Sequence, residues 1–140
     1  MRLVLDTNVL VAGARSRAGA SNPLLIAGFR GGFRWCCSVP LFYEYEDVLN
    51  RAEFLLETGI TRDEIGVFLT DIAGTVTPVD LHFLWRPQLR DPGDEMVLET
   101  AVNARAVAIV THNARDFGTA PGRFGIEVLS PAEALKRIAT

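Results

Sequence analysis

Apolar residues along this chain fall into short unbroken runs separated by longer stretches of helical period. Leu3, Val4 and Leu5 form the first run, too short for a helix, and it stops at the polar Asp6, Thr7 and Asn8. It reads as a buried strand. Phe33 to Val39, Thr75 to Val79, Ala106 to Val110 and Gly125 to Leu129 read as four more strands. After Asn8 the apolar residues turn into a short helix. Asn22 as cap and Pro23 at the first position open the next helix, which runs to about Arg30 and ends at Gly31 and Gly32. Pro40 marks another start. Phe42, Tyr45, Val48 and Leu49 then recur at helical spacing, with Glu44, Glu46 and Asp47 in the first turns, where the helix dipole favours acids. Thr61 and Glu64 form a capping box ahead of Ile65, Phe68, Leu69 and Ile72, and Gly74 closes that helix. Leu81 to Arg90 reads as a loop. Asp91 to Glu95 is a turn feeding a helix whose buried side is Met96, Val97, Ala101 and Ala104. Ser130, Pro131 and Glu133 open a last helix. Strands alternating with helices, at least two of the strands apolar throughout, predict a central parallel sheet of about five strands covered on both faces. The fold class is a three-layer α/β domain.

A length of 140 residues suits one domain, 1–140, with a real core. Hydrophobic residues at 49% exclude a disordered chain. No apolar run approaches the roughly 20 residues of a membrane span, and the N-terminus reads as a strand rather than a signal peptide, so a cytoplasmic protein is expected. Cys36 and Cys37 are adjacent, which predicts buried reduced thiols rather than a disulfide framework. His82 and His112 lack partners at zinc-ligand spacing. The net charge of −3 does not mark a nucleic-acid binder. The bases are almost all Arg, with Lys136 the only lysine. Arg suits bidentate phosphate contacts, although a skewed genomic base composition explains the bias equally well.

The acids change the picture. Asp6 ends the first strand, Glu44 starts the helix after the second, Asp91 and Asp94 start the helix leading into the fourth, and Asp116 follows that strand with Asn113 nearby. Strand ends and the helix starts that follow them share one edge of a parallel sheet, where ligands bind. A helix running back along the sheet brings Asp94 to the same edge. Carboxylates crowded together raise one another's pKa unless a cation is present. Oxygen donors of this kind suit Mg²⁺ or Mn²⁺. Simpler roles remain open for each residue. Asp6 and Asp94 could only cap helices, Glu46 or Asp47 could replace Glu44, and Asp91 reads as turn chemistry. Glu95 and Glu99 face solvent or lie near the site, and His112 reads as an exposed loop residue.

Four motifs in this order carry a resemblance: D-T-N at the N-terminus, Y-E-Y after a strand and proline, D-P-G-D-E before a helix, and T-H-N-A-R-D-F after a strand. Together they resemble the PIN domain family, most of all its toxin-like branch related to VapC. The resemblance covers essentially the whole chain. It implies a Rossmann-like sheet and Mg²⁺- or Mn²⁺-dependent cleavage of single-stranded RNA, leaving a 5′-phosphate and a 3′-hydroxyl. It also implies a small antitoxin as partner and a homodimer. Carried over to this chain, Asp6, Glu44 and Asp94 match the metal-binding acids. Asn113 stands where many members have an acid, so Asp116 is the substitute. Asn8, Thr111 and Asn113 are expected to support the ligands from behind. Arginines in the loops, Arg15, Arg17, Arg86, Arg90 and Arg115, are expected to hold RNA, with Arg15 to Ser21 as a mobile arm.

Two alternatives stand beside this reading. One is a catalytically weak PIN-like module that binds RNA or a partner. The other is a haloacid-dehalogenase-type phosphatase, which needs a second acid where this chain has Asn8 and a lysine in mid-chain.

Overall fold

The structure is a computed structural model that describes residues 1–82 and 88–139. Five parallel strands form its centre: β1 (Arg2–Leu5), β2 (Arg34–Ser38), β3 (Thr77–Val79), β4 (Ala108–Val110) and β5 (Glu127–Leu129). Their order across the sheet is β3-β2-β1-β4-β5. Seven α-helices complete the three-layer α/β fold: α1 (Thr7–Arg15), α2 (Ser21–Phe29), α3 (Val39–Leu49), α4 (Ala52–Thr58), α5 (Arg62–Thr75), α6 (Pro92–Ala104) and α7 (Pro131–Ala139). Short 3₁₀ helices at Ala114–Phe117 and Pro121–Phe124 link β4 to β5.

The two middle strands are the apolar ones. Leu3, Val4 and Leu5 of β1 and Ala108, Ile109 and Val110 of β4 are fully buried. Strands covered on both faces need apolar side chains at every position, which is why these runs do not alternate. From β1 the chain moves outward to β2 and β3, then returns to the other side of β1 as β4. The direction of winding therefore reverses between β1 and β4. A crevice opens at such a reversal, outside the carboxyl ends of the strands. Asp6 and Thr111 are the residues that leave β1 and β4 there.

Several boundaries differ from the sequence reading. Ser38, not Pro40, begins α3: its hydroxyl accepts from Leu41 N, so no acid falls in the first turn. Glu44 sits one turn further in. The buried stripe of α3 is Leu41, Tyr45 and Leu49, with Phe42 and Val48 only half-buried. Asn22 does not cap α2, which starts one residue earlier. Its side-chain amide reaches Gly13 O of α1 at 2.9 Å and ties the two helices together. Gly74 lies inside α5, which ends where Val76 turns extended to enter β3. α4, with its left-handed cap at Gly59, is an addition to the elements the sequence predicts, because its seven residues show too little period. Helix α6 is buried almost all round, Glu95 and Glu99 included, because it packs on β1, β2, β4 and α3. Solvent-facing positions for those two acids are thus corrected. Both capping boxes are present, at Thr61 with Glu64 and at Ser130 with Glu133.

Candidate active site

The carboxyl edge of the sheet gathers the acids. Asp6 occupies the N-cap position of α1, yet its carboxylate makes no capping bond there. Instead its Oδ2 accepts the Thr111 hydroxyl at 2.8 Å. Thr111 is itself buried, and its oxygen also accepts from Asn8 Nδ2 at 3.2 Å and from Asn113 N at 3.0 Å. A threonine hydroxyl has one proton and two lone pairs. With both lone pairs met by N–H donors, the proton must point at Asp6. Asn8 thus acts on Asp6 through Thr111, and its own oxygen receives the backbone N–H of His112 at 3.2 Å. His112 is exposed but not solitary, for its Nε2 lies 2.7 Å from Ser21 Oγ.

Glu44 is held in the same manner from the other side. The Thr7 hydroxyl donates to its Oε2 at 2.6 Å. Its Oε1 lies over the backbone of Gly93, where a Cβ would come within 2.8 Å. Glycine at the start of α6 is what lets the Glu44 carboxylate approach that helix end, where the unpaired N–H groups favour an anion. Asp91, not Asp94, is the cap of α6: its Oδ1 accepts Gly93 N at 2.7 Å and Asp94 N at 3.2 Å. Asp94 is thereby left free of capping duty. Asp116 is exposed on the 3₁₀ helix after β4.

The acids feel one another's charge. Burial, and then the charges of Asp6, Asp91, Asp116 and Glu44, push the Asp94 carboxyl up from 3.8 to about 6. Asp6 is raised as well, by burial first and then by Glu44 and Asp116, against the lowering effect of Thr111 and the Thr7 backbone. Asp6, Glu44, Asp94 and Asp116 therefore share one field, although they come from four separate parts of the chain. Among the described residues, no three His, Cys, Asp or Glu side chains stand close enough to close round an ion. The donor set, all carboxylate oxygen, fits a hard divalent cation such as Mg²⁺ or Mn²⁺.

A profile of the PIN domain family matches residues 2–115. The chain belongs to the PIN domain family. The match contains Asp6, Glu44 and Asp94 and stops one residue short of Asp116. PIN domains are generally nucleases and generally use divalent metals. A haloacid-dehalogenase-type phosphatase is set aside by this match. No curated protein matches the chain significantly.

The arginines divide into two groups. Arg90 and Arg115 line a cleft of about 430 Å³ together with Asp94 and Asp116. Arg15 and Arg17 are not brought there. They line a separate groove with Leu25, Phe29 and Phe68, and Arg15 pairs with Glu57 of α4 at 3.1 Å. Arg15 closes α1, about 13 Å along the helix axis from its N-terminus at 1.5 Å per residue. Arg86 and Trp85 lie outside the described residues.

Four residues of this region carry no signal that spacing alone makes visible. Thr7 was hidden inside D-T-N, where any polar residue suits a helix start. Gly93 looked like turn chemistry. Arg123 sits beyond the last motif and enters the cleft only through the fold. Glu95 is buried, and its carboxylate accepts the backbone N–H of Gln88 at 3.0 Å and of Leu89 at 2.7 Å.

Proposed function

We propose that this chain is a Mg²⁺- or Mn²⁺-dependent endoribonuclease that hydrolyses phosphodiester bonds of single-stranded RNA. The observation that carries the reading is the pair of buttressed acids at the carboxyl edge of the sheet, Asp6 held by the Thr111 hydroxyl at 2.8 Å and Glu44 held by the Thr7 hydroxyl at 2.6 Å beside the start of the helix that bears Asp94. Asp6, Glu44 and Asp94 would hold the cation, with Asp116 in the place where Asn113 departs from the acid of many relatives. When bound, the ion would supply a water acidic enough to attack phosphorus and would offset charge on the leaving oxygen. The chain's own residues orient and order the acids. Thr111 aims Asp6, Thr7 aims Glu44, and Asp91 frees Asp94 by capping α6. The fully buried β1 and β4 beneath them keep water from the far side.

The finer reading is a toxin restrained by a small antitoxin, acting as a homodimer in the cytoplasm. Its support is the acidity of the cleft, which a basic peptide would cover, and the motif order described above. Among the described residues, no helix is long and apolar enough to cross a membrane.

Asp94→Asn is the test. In Mg²⁺ or Mn²⁺, cleavage of a single-stranded RNA oligonucleotide should fall by at least about a hundredfold while the circular dichroism spectrum stays native. Cleavage at the wild-type rate would refute the assignment. A wild-type protein that binds Mn²⁺ weakly and turns nothing over would favour the non-catalytic binding module instead.

A further inference from the structure

Most of the arginines with a visible partner are paired with carboxylates. Arg15 meets Glu57, Arg51 meets Asp47 and Arg137 meets Glu127. Such pairs on the surface leave little charge for anything else. Arg62 donates to a backbone carbonyl, Asn50 O at 3.2 Å, away from the acids, and Arg123, alone of this kind among the described residues, lies in the cleft with them. Its guanidinium donates to two neutral oxygens, Gln88 Oε1 at 3.2 Å and Thr119 Oγ1 at 3.4 Å. Among the described residues it has no carboxylate partner. A guanidinium has five N–H groups, so three remain for a ligand.

Its position is built rather than incidental. Thr119 lies one turn before it, and the backbone N–H of Arg123 donates to Ala120 O at 3.2 Å within the turn. Gln88 is fixed through its own backbone by Glu95, a carboxylate only 5% exposed that receives the N–H groups of Gln88 and Leu89. A buried acid of α6 thus seats the strand of chain that presents Gln88, and Gln88 steadies Arg123. Arg123 shares its cleft with Asp94 and Asp116, and at about 430 Å³ the space is in the range of small-ligand sites. The residue lies beyond the family match, which ends at residue 115.

From these contacts we infer that Arg123 takes a substrate phosphate next to the one being cleaved, and so sets how the RNA strand lies across the acids. Arg is the side chain suited to such a planar, bidentate contact. A strand crossing this cleft meets Asp94 and Asp116 and, in the same lining, the Arg123 guanidinium alongside Arg90 and Arg115. The scissile phosphate belongs at the acids and a neighbouring phosphate at Arg123. The inference rests on the nuclease reading for the identity of the ligand, and its test separates the two.

The experiment compares wild type, Arg123→Ala, Arg123→Lys and, as a paired surface control, Arg51→Ala. The readouts are kcat and KM on a single-stranded oligouridylate in Mn²⁺ over a range of salt, and binding of the labelled oligonucleotide in Ca²⁺. Arg123→Ala should raise KM about tenfold with kcat little changed. The slope of log(kcat/KM) against log[salt] should become shallower by about 0.7, one single-strand phosphate contact. Arg123→Lys should keep the salt slope and recover part of KM, while Arg51→Ala should match wild type. If wild type cleaves and Arg123→Ala has the same KM and slope, the inference is overturned and the nuclease reading stands. If wild type binds with an Arg123-dependent salt slope but does not cleave, the phosphate contact stands and the nuclease reading falls. If wild type neither cleaves nor binds, both fall.

Discussion

Thr111 shows how little of a residue's role lies in its chemical type alone. A threonine after a strand is unremarkable, but here three bonds meet on one oxygen. Two donors consume its lone pairs, so its proton is committed to Asp6. Thr111→Val keeps the shape and removes the hydroxyl. Asp6 then loses its orienting donor, and Asn8 and Asn113 N lose their acceptor. A group that orients a metal ligand from behind is worth about 10- to 100-fold in metal affinity or activity. The variant should therefore lose that much in Mn²⁺ affinity by calorimetry and in RNA cleavage, while staying folded. An unchanged Mn²⁺ affinity would place Asp6 outside the cation site.

At the level of elements, the site depends on α3 being locked to β1 and α6. Tyr45 is fully buried on α3. Its hydroxyl donates to Leu5 O at the end of β1, at 2.6 Å, and receives Trp35 Nε1 at 3.4 Å. On the same helix end, Ser38 Oγ lies 2.7 Å from Thr100 Oγ1 of α6, whose hydroxyl proton goes to Met96 O at 2.8 Å. Ser38 is therefore the donor in that pair. These buried links place Glu44, next to Tyr45, over the start of α6. Tyr45→Phe should cost about 1–2 kcal/mol, or roughly 3–7 °C in Tm, because buried groups lose their hydrogen-bond partner. It should also lower cleavage more than the lost stability explains at a temperature where the variant is still folded. Thermal melts alongside single-temperature kinetics would check both parts. A melt equal to wild type would show that the hydroxyl contributes nothing net to the anchor of α3.

For the whole molecule, crowding of acids at one rim sets a dependence of stability on pH and on divalent cations. Folded Asp94 keeps its proton to about pH 6, whereas an unfolded aspartate releases it near 3.8. Between those values the folded state binds more protons than the unfolded one. Stability therefore falls as pH rises through that window. Asp6, also raised, adds to the same trend. Asp94 is only half-buried, and screening reduces its share to about 1 kcal/mol. In EDTA, Asp94→Asn should melt above wild type at pH 7 and nearly level with it at pH 4. Adding Mn²⁺ at pH 7 should raise the wild-type Tm and leave the variant little changed, because a bound cation stabilises the folded state by mass action. A wild type indifferent to Mn²⁺ would break the link between the acid cluster and a metal.

Much of this protein is written in near neighbours. The capping pairs Thr61 with Glu64 and Ser130 with Glu133 close within three residues, so their spacing alone reveals them. The unbroken apolar runs at β1 and β4 announce strands buried on both faces, and Asp6 and Asp116 follow those strands at the carboxyl edge of the sheet. Spacing is silent about partners that the fold brings together from afar. Thr111 meets Asp6 across 105 positions, and Arg123 meets Gln88 across 35. The same limit explains Arg15, whose basic, small-residue surroundings suggested an RNA arm but which pairs with Glu57 in another groove. Periodicity and caps are local properties of the backbone, fixed within a turn or two. Which charged side chain faces which is a matter of strand order and helix packing, and those are properties only of the assembled fold.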